Sequence, residues 1–262
     1  MARYALNLSA EELARYRRMA QLARAQEADW WARAGILPGA RVVDLGCGPA
    51  ATTSAMAEVV GEAGAVTGID GDPSAVAVAR ALLAAEGRCN AQVQAGDVGA
   101  TALPAGSFDV AVLRHVLAHN QREEKQIVEH AASLVRPGGC VYLVDIDHTM
   151  FRRRDTPPVL EEMWGRYSEF HAARGNDLRV GLRLATLLRT AGLTIVLDEL
   201  VGIAVDFDAR SPGPAWAARE AMLAAGVVSG ADLSRWATEL AATTHALPGR
   251  SYVPVFVAVG RT

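Results

Sequence analysis

Three carboxylates, a glycine-rich turn and a pair of histidines are the residues of this 262-residue chain whose types and order could do chemistry. Val42-Val43-Asp44-Leu45-Gly46-Cys47-Gly48-Pro49 carries a short apolar run into an acid and then a turn, and Gly68-Ile69-Asp70 repeats the apolar-then-acid pattern. Ala95-Gly96-Asp97 supplies a third acid after a third such run. Glycines let a chain turn sharply and let a ligand lie against bare backbone, and an acid closing the second strand is placed to receive the two hydroxyls of a ribose. Further on, Arg114-His115-Val116-Leu117-Ala118-His119-Asn120 puts His115 and His119 just beyond another apolar run. An imidazole there is a candidate general base. The i, i+4 spacing also fits zinc, but no third or fourth ligand stands at a recognisable distance, so no metal is expected.

The elements that must position these groups alternate. Ser9 with Glu12 has the form of a capping box, and Leu13, Tyr16, Ala20 and Ala23 follow at helical spacing, so one or two helices are expected over 9–34. Strands are predicted at 41–45, 65–69, 91–95, 108–113 and 140–145, with helices at 51–60, 73–86 and 122–135. The third of these helices is stopped by Pro137-Gly138-Gly139, while the second has Asp72 as cap and Pro73 in its first turn. The strands lack polar alternation, as parallel strands covered on both faces do. Helices over 157–173 and 178–191, strands over 193–205 and 252–259, and a helical excursion opened by Pro212-Gly213-Pro214 complete the reading. The expected fold is α/β: a Rossmann-like, seven-stranded, mostly parallel sheet with helices on both faces and a helical cap. Residues 1–35 are read as an N-terminal helical cap and 36–262 as the main domain, with cap insertions at about 147–177 and 206–248. Right-handed crossovers then bring the C-terminal ends of the parallel strands, and so the ligand, to one edge.

Charge selects the ligand. Gly46-Cys47-Gly48-Pro49-Ala50-Ala51 fits a relaxed dinucleotide fingerprint, yet a pyrophosphate would be poorly served by Asp44, Asp70 and Asp97 on its edge. A ligand with a ribose diol, an ammonium, a sulfonium and an adenine amino group suits them, which describes S-adenosyl-L-methionine. In Val42–Pro49, Gly68–Asp70, Gly96–Asp97, Leu103-Pro104 before Ser107-Phe108-Asp109, Arg114–His119 and Leu134–Gly139 the chain resembles the class I methyltransferases, of the small-molecule, UbiE-like kind. The resemblance implies that Gly46 and Gly48 admit the methionine part and ribose, that Asp44 orients the cofactor's amino-acid end, and that Asp70 takes the ribose hydroxyls with Gly71 along the adenosine. It further implies Asp97 at the adenine amino group, the Val98 N–H at a ring nitrogen, and backbone at Leu113 and Arg114 near the ammonium. The family often has a third glycine where this chain has Ala50.

Methyl transfer needs an in-line arrangement, exclusion of water and, for some acceptors, removal of a proton. His115 and His119 are the candidates for that proton. His148, Tyr167 and Glu169 are candidates for touching substrate; Tyr167 shares a helix face with His171. Trp164, Trp216 and Trp236 read as cap packing or an aromatic wall, and Arg152–Arg154 as a solvated loop or a seat for an acidic group. Cys47 reads as a small filler, and three scattered cysteines indicate neither a zinc knuckle nor a disulfide framework. With 51% hydrophobic residues a large core is available, and a formal net charge of -3 gives no reason to expect nucleic acid. No apolar run is long enough to span a membrane. The expectation is a cytoplasmic monomer or homodimer that methylates a small molecule at oxygen or nitrogen, in secondary metabolism. Alternatives are carbon methylation, especially with Tyr167 or Glu169 as base, a nicotinamide-dependent oxidoreductase, or a protein that binds the cofactor without catalysis.

Overall fold

Valines at 42 and 43, adjacent in sequence, are both fully buried, which requires apolar cover on the two faces of their strand. The computed structural model, which describes residues 9–120, 122–153, 156–206, 213–243 and 250–262, provides that cover. The elements in chain order are α1 (Ala10–Gln26), α2 (Ala28–Ala34), β1 (Arg41–Leu45), α3 (Ala51–Val60), β2 (Ala65–Asp70), α4 (Pro73–Ala85), β3 (Ala91–Ala95), β4 (Phe108–Arg114), α5 (Glu124–Leu134) and β5 (Val135–Ile146). There follow β6 (Arg152–Arg153), α6 (Pro158–Ala173), α7 (Leu184–Thr190), β7 (Thr194–Asp206), α8 (Pro214–Ala217), α9 (Arg219–Ala224), α10 (Gly230–Thr243) and β8 (Arg250–Arg261).

The sheet order is β3-β2-β1-β4-β5-β8-β6, with β7 pairing β8. The first five strands are mutually parallel, and β8 runs antiparallel to β5 and β7. The seven long strands are those read from the sequence; the two-residue β6, against Tyr252 and Ser251, is an addition. Val43, Leu45, Leu113 and Leu143 face one layer with Ile127 and Val128 of α5 and Leu188 of α7. Val42, Val110, Val112 and Tyr142 face the other with Trp31 of α2 and Met56 of α3. Each fully buried side chain of this size contributes about 1.5–3 kcal/mol, so the segment before residue 35 packs into the core as well as over it.

Local rules act as expected at several ends. Asp72 accepts the Ser74 N–H at 2.9 Å ahead of Pro73, starting α4. Ser9 accepts the Glu12 N–H at 3.2 Å, but the Glu12 carboxylate turns to Arg15 and leaves the capping box half formed. The helix read over 178–191 divides into a 3-10 turn at Val180–Arg183 and α7. Within that turn Gly181 fits tightly, since a Cβ on it would lie 2.6 Å from Phe256 and 2.9 Å from Ile146 backbone. Of the excursion between β7 and β8, α8, α9 and α10 are described; Pro212 lies outside the described residues, as does Arg154. No helix among the described residues is long and apolar enough to cross a membrane.

Candidate active site

Strands β1, β2 and β4 end side by side, and the loops that follow them carry the sequence-predicted groups. Gly46 and Gly48 both adopt the left-handed backbone that glycine tolerates (φ 77° and 54°). A Cβ on Gly46 would stand 2.5 Å from the Val116 side chain, so the turn fits closely under the loop after β4. Ala50, in place of the third glycine, takes φ 63° and is fully buried, so the loop keeps its left-handed course despite the methyl. Cys47 is a buried filler beside Gly68; burial, then Asp44 and Asp70, push its thiol far up, which removes it as a nucleophile.

Asp70 closes β2 and accepts the Gly48 N–H at 2.8 Å on one oxygen and the Asp72 N–H at 2.9 Å on the other. Each carboxylate oxygen has a second acceptor position, so two ribose hydroxyls can be received without breaking these bonds. Burial raises its pKa, against the pull of those two N–H groups. Asp44 is 3% exposed and is bonded by the Thr53 hydroxyl at 2.6 Å. Burial pushes it up to about 6, opposed by Thr53 and Arg114 and reinforced by Asp70. A buried carboxylate so placed is a seat for a cation. Gly71 lies beside the end of β3, where a Cβ would come 3.7 Å from the Gly96 carbonyl. Asp97 is exposed and uses one oxygen on the Gly99 N–H at 2.8 Å, the turn role that the sequence also allows; Val98 is half-buried against the core. Leu113 is fully buried.

Arg114 pairs with Glu27, between α1 and α2, with bonds of 3.0 and 3.2 Å to one carboxylate oxygen. The other oxygen takes the Tyr142 hydroxyl at 2.8 Å and the Trp31 indole N–H at 3.3 Å. Burial raises Glu27, but Arg114 and then Tyr142 outweigh it and the carboxyl ends below its ordinary value. Sequence reasoning did not find Glu27, because Arg114 and Tyr142, two of its three partners, lie 87 and 115 residues away.

His115 follows β4 in a left-handed conformation (φ 58°), a strained backbone for a side-chain-bearing residue and one that gathers at functional sites. Its Nδ1 is 3.9 Å from Asp145 Oδ1, an electrostatic contact and not a hydrogen bond. Burial and Arg114 lower its pKa, while Asp145 and Glu27 support the protonated form. His119 sits in a 3-10 turn, with its ring centroid 4.9 Å from that of His171 on α6. Burial takes His119 down to about 4, with His115 and Arg15 adding to the effect against Asp145. His171, 3% exposed, falls to about 3, chiefly through burial and then His119, and its ring nitrogen lies 2.8 Å from the Asn176 amide. Both rings are therefore neutral near pH 7.

The α6 face continues this row. Tyr167 is 4.3 Å from His171 centroid to centroid, and His148 stacks on Trp164 at 4.5 Å. Trp164 also meets Tyr167 at 5.8 Å and Phe151 at 5.4 Å. Glu169 requires a correction. Two residues from Tyr167, about 200° around a helix of 3.6 residues per turn, it is turned to solvent and pairs with Arg166 at 3.1 Å, so it is not brought to this row. Trp236 is fully buried core, and Trp216 packs against the same cluster under Arg219, which leaves Trp164 as the tryptophan of the row.

Residues 42–139 match the family described as a methyltransferase domain. The chain is 36% identical over 122 residues to a ubiquinone biosynthesis O-methyltransferase of Xanthomonas campestris, covering 46% of this chain and 49% of that protein. It is 37% identical over 106 residues to nocamycin O-methyltransferase of Saccharothrix syringae, covering 40% and 38%. A SAM-dependent methyltransferase from Aquifex aeolicus shares the fold at a TM-score of 0.53 and 18% identity, covering 71% of this chain and 90% of that one. Residues 42–139 thus carry a methyltransferase domain. The chain spans about half the length of the first of these curated relatives.

The cofactor of this methyltransferase domain is S-adenosylmethionine, which supplies an electrophilic methyl group on a cationic sulfur when bound. The residues present fit it: a tight, left-handed glycine turn, a carboxylate at the end of β2 with acceptor positions to give, and a buried Asp44 that a cationic group would suit. Asp70→Ala is expected to weaken binding of S-adenosylhomocysteine by about 1–3 kcal/mol, the scale of lost charge-assisted hydrogen bonds. Calorimetry that returned the wild-type affinity would remove Asp70 from the ribose position.

Proposed function

We propose that this protein transfers the methyl group of S-adenosylmethionine to a small-molecule acceptor. The observation that carries the reading is that the ends of β1, β2 and β4 bring Asp44, Asp70, His115 and His119 to one sheet edge, with His119 against His171 of α6. The carboxylates suit the cationic donor, and the neutral imidazoles can receive a proton from a hydroxyl or amine. Oxygen or nitrogen is the favoured acceptor atom, and a secondary-metabolite substrate is in keeping with the nocamycin relative. Carbon methylation remains the alternative through Tyr167, since Glu169 no longer serves it. His148, Tyr167 and Trp164 are proposed to bound the acceptor, Asp97 and Val98 to hold adenine, and the setting to be cytoplasmic.

Of the two histidines, His115 is the better base in this proposal. A catalytic base works best when its pKa approaches the working pH, and Asp145 beside His115 stabilises the imidazolium, whereas His119 stands at about 4. Incubation with methyl-labelled cofactor and fractionated small-molecule extracts tests the activity directly. Label in a metabolite supports it; tight binding without transfer favours the non-catalytic reading, and binding of NADH instead favours an oxidoreductase. With an acceptor identified, His115→Ala is expected to lower kcat about 100-fold and His119→Ala less, with S-adenosylhomocysteine affinity little changed in both. Full rates in both variants across the pH range would remove them as bases.

A further inference from the structure

The segment that joins β3 to β4, residues 96–107, contains neither a strand nor a helix. A loop without its own ladder must borrow hydrogen-bond partners from the elements around it. Its start is tied to β2, where the Gly96 N–H donates to the Asp70 carbonyl at 3.0 Å. Its end is tied to α5, where the Gly106 and Ser107 N–H groups donate to the Ser133 and Leu134 carbonyls at 3.0 and 2.9 Å. Between those ends, the bonds that leave the loop meet a single ring among the described residues. The Thr101 N–H donates to His130 Nε2 on α5 at 3.0 Å, and the Thr101 hydroxyl stands 2.9 Å from the same nitrogen.

Two local bonds carry this tie back to residues 97 and 98. The Ala100 N–H donates to the Asp97 carbonyl at 3.2 Å and the Gly99 N–H to Asp97 Oδ1 at 2.8 Å, so 97–100 is a closed turn. Gly96 precedes that turn and Thr101 follows it, which clamps it at one end to β2 and at the other to α5. It also rests on α5, since a Cβ on Gly99 would meet Ile127 at 3.4 Å. Within the turn, the other Asp97 oxygen and the Val98 N–H have no hydrogen bond to the protein among the described residues.

The ring can hold Thr101 in one form only. Nε2 accepts the backbone N–H through its lone pair, so the proton of the neutral ring sits on Nδ1 and the Thr101 hydroxyl donates as well. That hydroxyl in turn accepts the Leu103 N–H at 3.4 Å. Burial lowers the His130 pKa against the pull of Asp97, which keeps the neutral form near pH 7.

We propose that His130 is a positioning residue for the adenine of the cofactor: from α5 it fixes the turn that presents the Asp97 carboxylate and the Val98 N–H. The inference rests on the reading that those two groups hold adenine. It gives α5, whose Ile127, Val128, Ala131 and Leu134 are buried in the core, a part in recognising the base.

A pair of ligands separates this role from a merely structural one. S-adenosylhomocysteine offers the adenine amino group to Asp97 and a bare ring nitrogen to Val98. S-inosylhomocysteine has an oxygen and an N–H at those positions and can make neither bond. Calorimetry on the full chain should therefore find the wild type binding the first more tightly. His130→Ala is expected to lose about 5- to 10-fold in affinity for S-adenosylhomocysteine, the scale of one neutral hydrogen bond, and to stay within about twofold of wild type for S-inosylhomocysteine. His130→Gln, whose amide oxygen reaches as far along the side chain as Nε2, should recover most of the loss. Should His130→Ala fail to fold, His130→Leu lacks the acceptor, keeps the bulk and carries the same comparison. Equal losses for both ligands, or a full preference for adenine in the variant, would overturn the proposal. A wild type that binds both ligands alike removes Asp97 and Val98 from the adenine position and the proposal with them, an outcome distinct from selective failure at His130.

Discussion

Glu27→Ala is expected to destabilise the protein by about 3–5 kcal/mol, the usual cost of removing one member of a buried ion pair. The substitution strands three donors at once: Arg114, the Tyr142 hydroxyl and the Trp31 indole N–H all end on this carboxylate, which is 1% exposed. At roughly 2–4 °C per kcal/mol for a chain of this size, the melting temperature should fall by about 10 °C. Glu27→Gln keeps an acceptor oxygen and should cost less. The double variant Glu27→Leu with Arg114→Met should recover much of the loss, because an apolar pair leaves no charge uncompensated. The linkage has a sign. The folded-state pKa of Glu27 is depressed, so its contribution is present above the unfolded value and fades as pH falls through the folded one. A change below about 1 kcal/mol in a denaturant titration, the range of an exposed pair, would show that the network does not hold α1 and α2 to the sheet.

Asp44→Asn should move binding and stability in opposite directions. Loss of the buried charge is expected to weaken S-adenosylhomocysteine by about 10- to 100-fold, since its ammonium loses a charged partner. The unliganded protein should melt higher at pH 8, because asparagine can still accept from Thr53 without a desolvated charge. Asp44 is raised to about 6, so the stability linked to its protonated form is complete below the unfolded pKa and lost as pH rises through 6. A shift of this size corresponds to about 3 kcal/mol as an order of magnitude. His119 and His171 run the other way: lowered to about 4 and 3, they cost stability as pH falls below their unfolded values. Melts of wild type and variant at pH 5 and 8 therefore read Asp44, whose destabilising effect begins above the unfolded pKa and is full only above pH 6. Equal ligand affinities at pH 8 would take Asp44 out of the cofactor site. The same linkage makes wild-type affinity fall below pH 6 where Asp44→Asn stays level.

Much of the frame was legible in the residues because local rules and global packing agree there. Asp72-Pro73 starts α4, β1 occupies the predicted 41–45, and unalternating valines mark strands covered on both faces. Agreement breaks where tertiary pairing takes over. Pro137-Gly138-Gly139 reads as a helix stop followed by a strand, yet β5 already begins at Val135, which pairs Phe108 across a register shift and carries the turn residues through a bulge. In the site, the glycine turn and Asp70 follow from spacing alone. The fate of Glu169 follows from helix geometry that the sequence supplies, once Tyr167 is known to face inward. Glu27 was not legible, for a charged residue at the junction of two helices reads as solvated until the sheet it meets is known.

Strand β8 lies between β5 and β7 and pairs with both along most of its length. On a ribosome, therefore, β5 must wait for a neighbour that emerges about a hundred residues later, and β7 finds no companion until the same moment. Two open rows of amides and carbonyls stand available to other chains through that interval, a hazard for sheets closed by distant segments. The step that seals the sheet is thus a late event in the birth of the molecule, and trimming residues 250–261 would make the nascent, adhesive condition permanent.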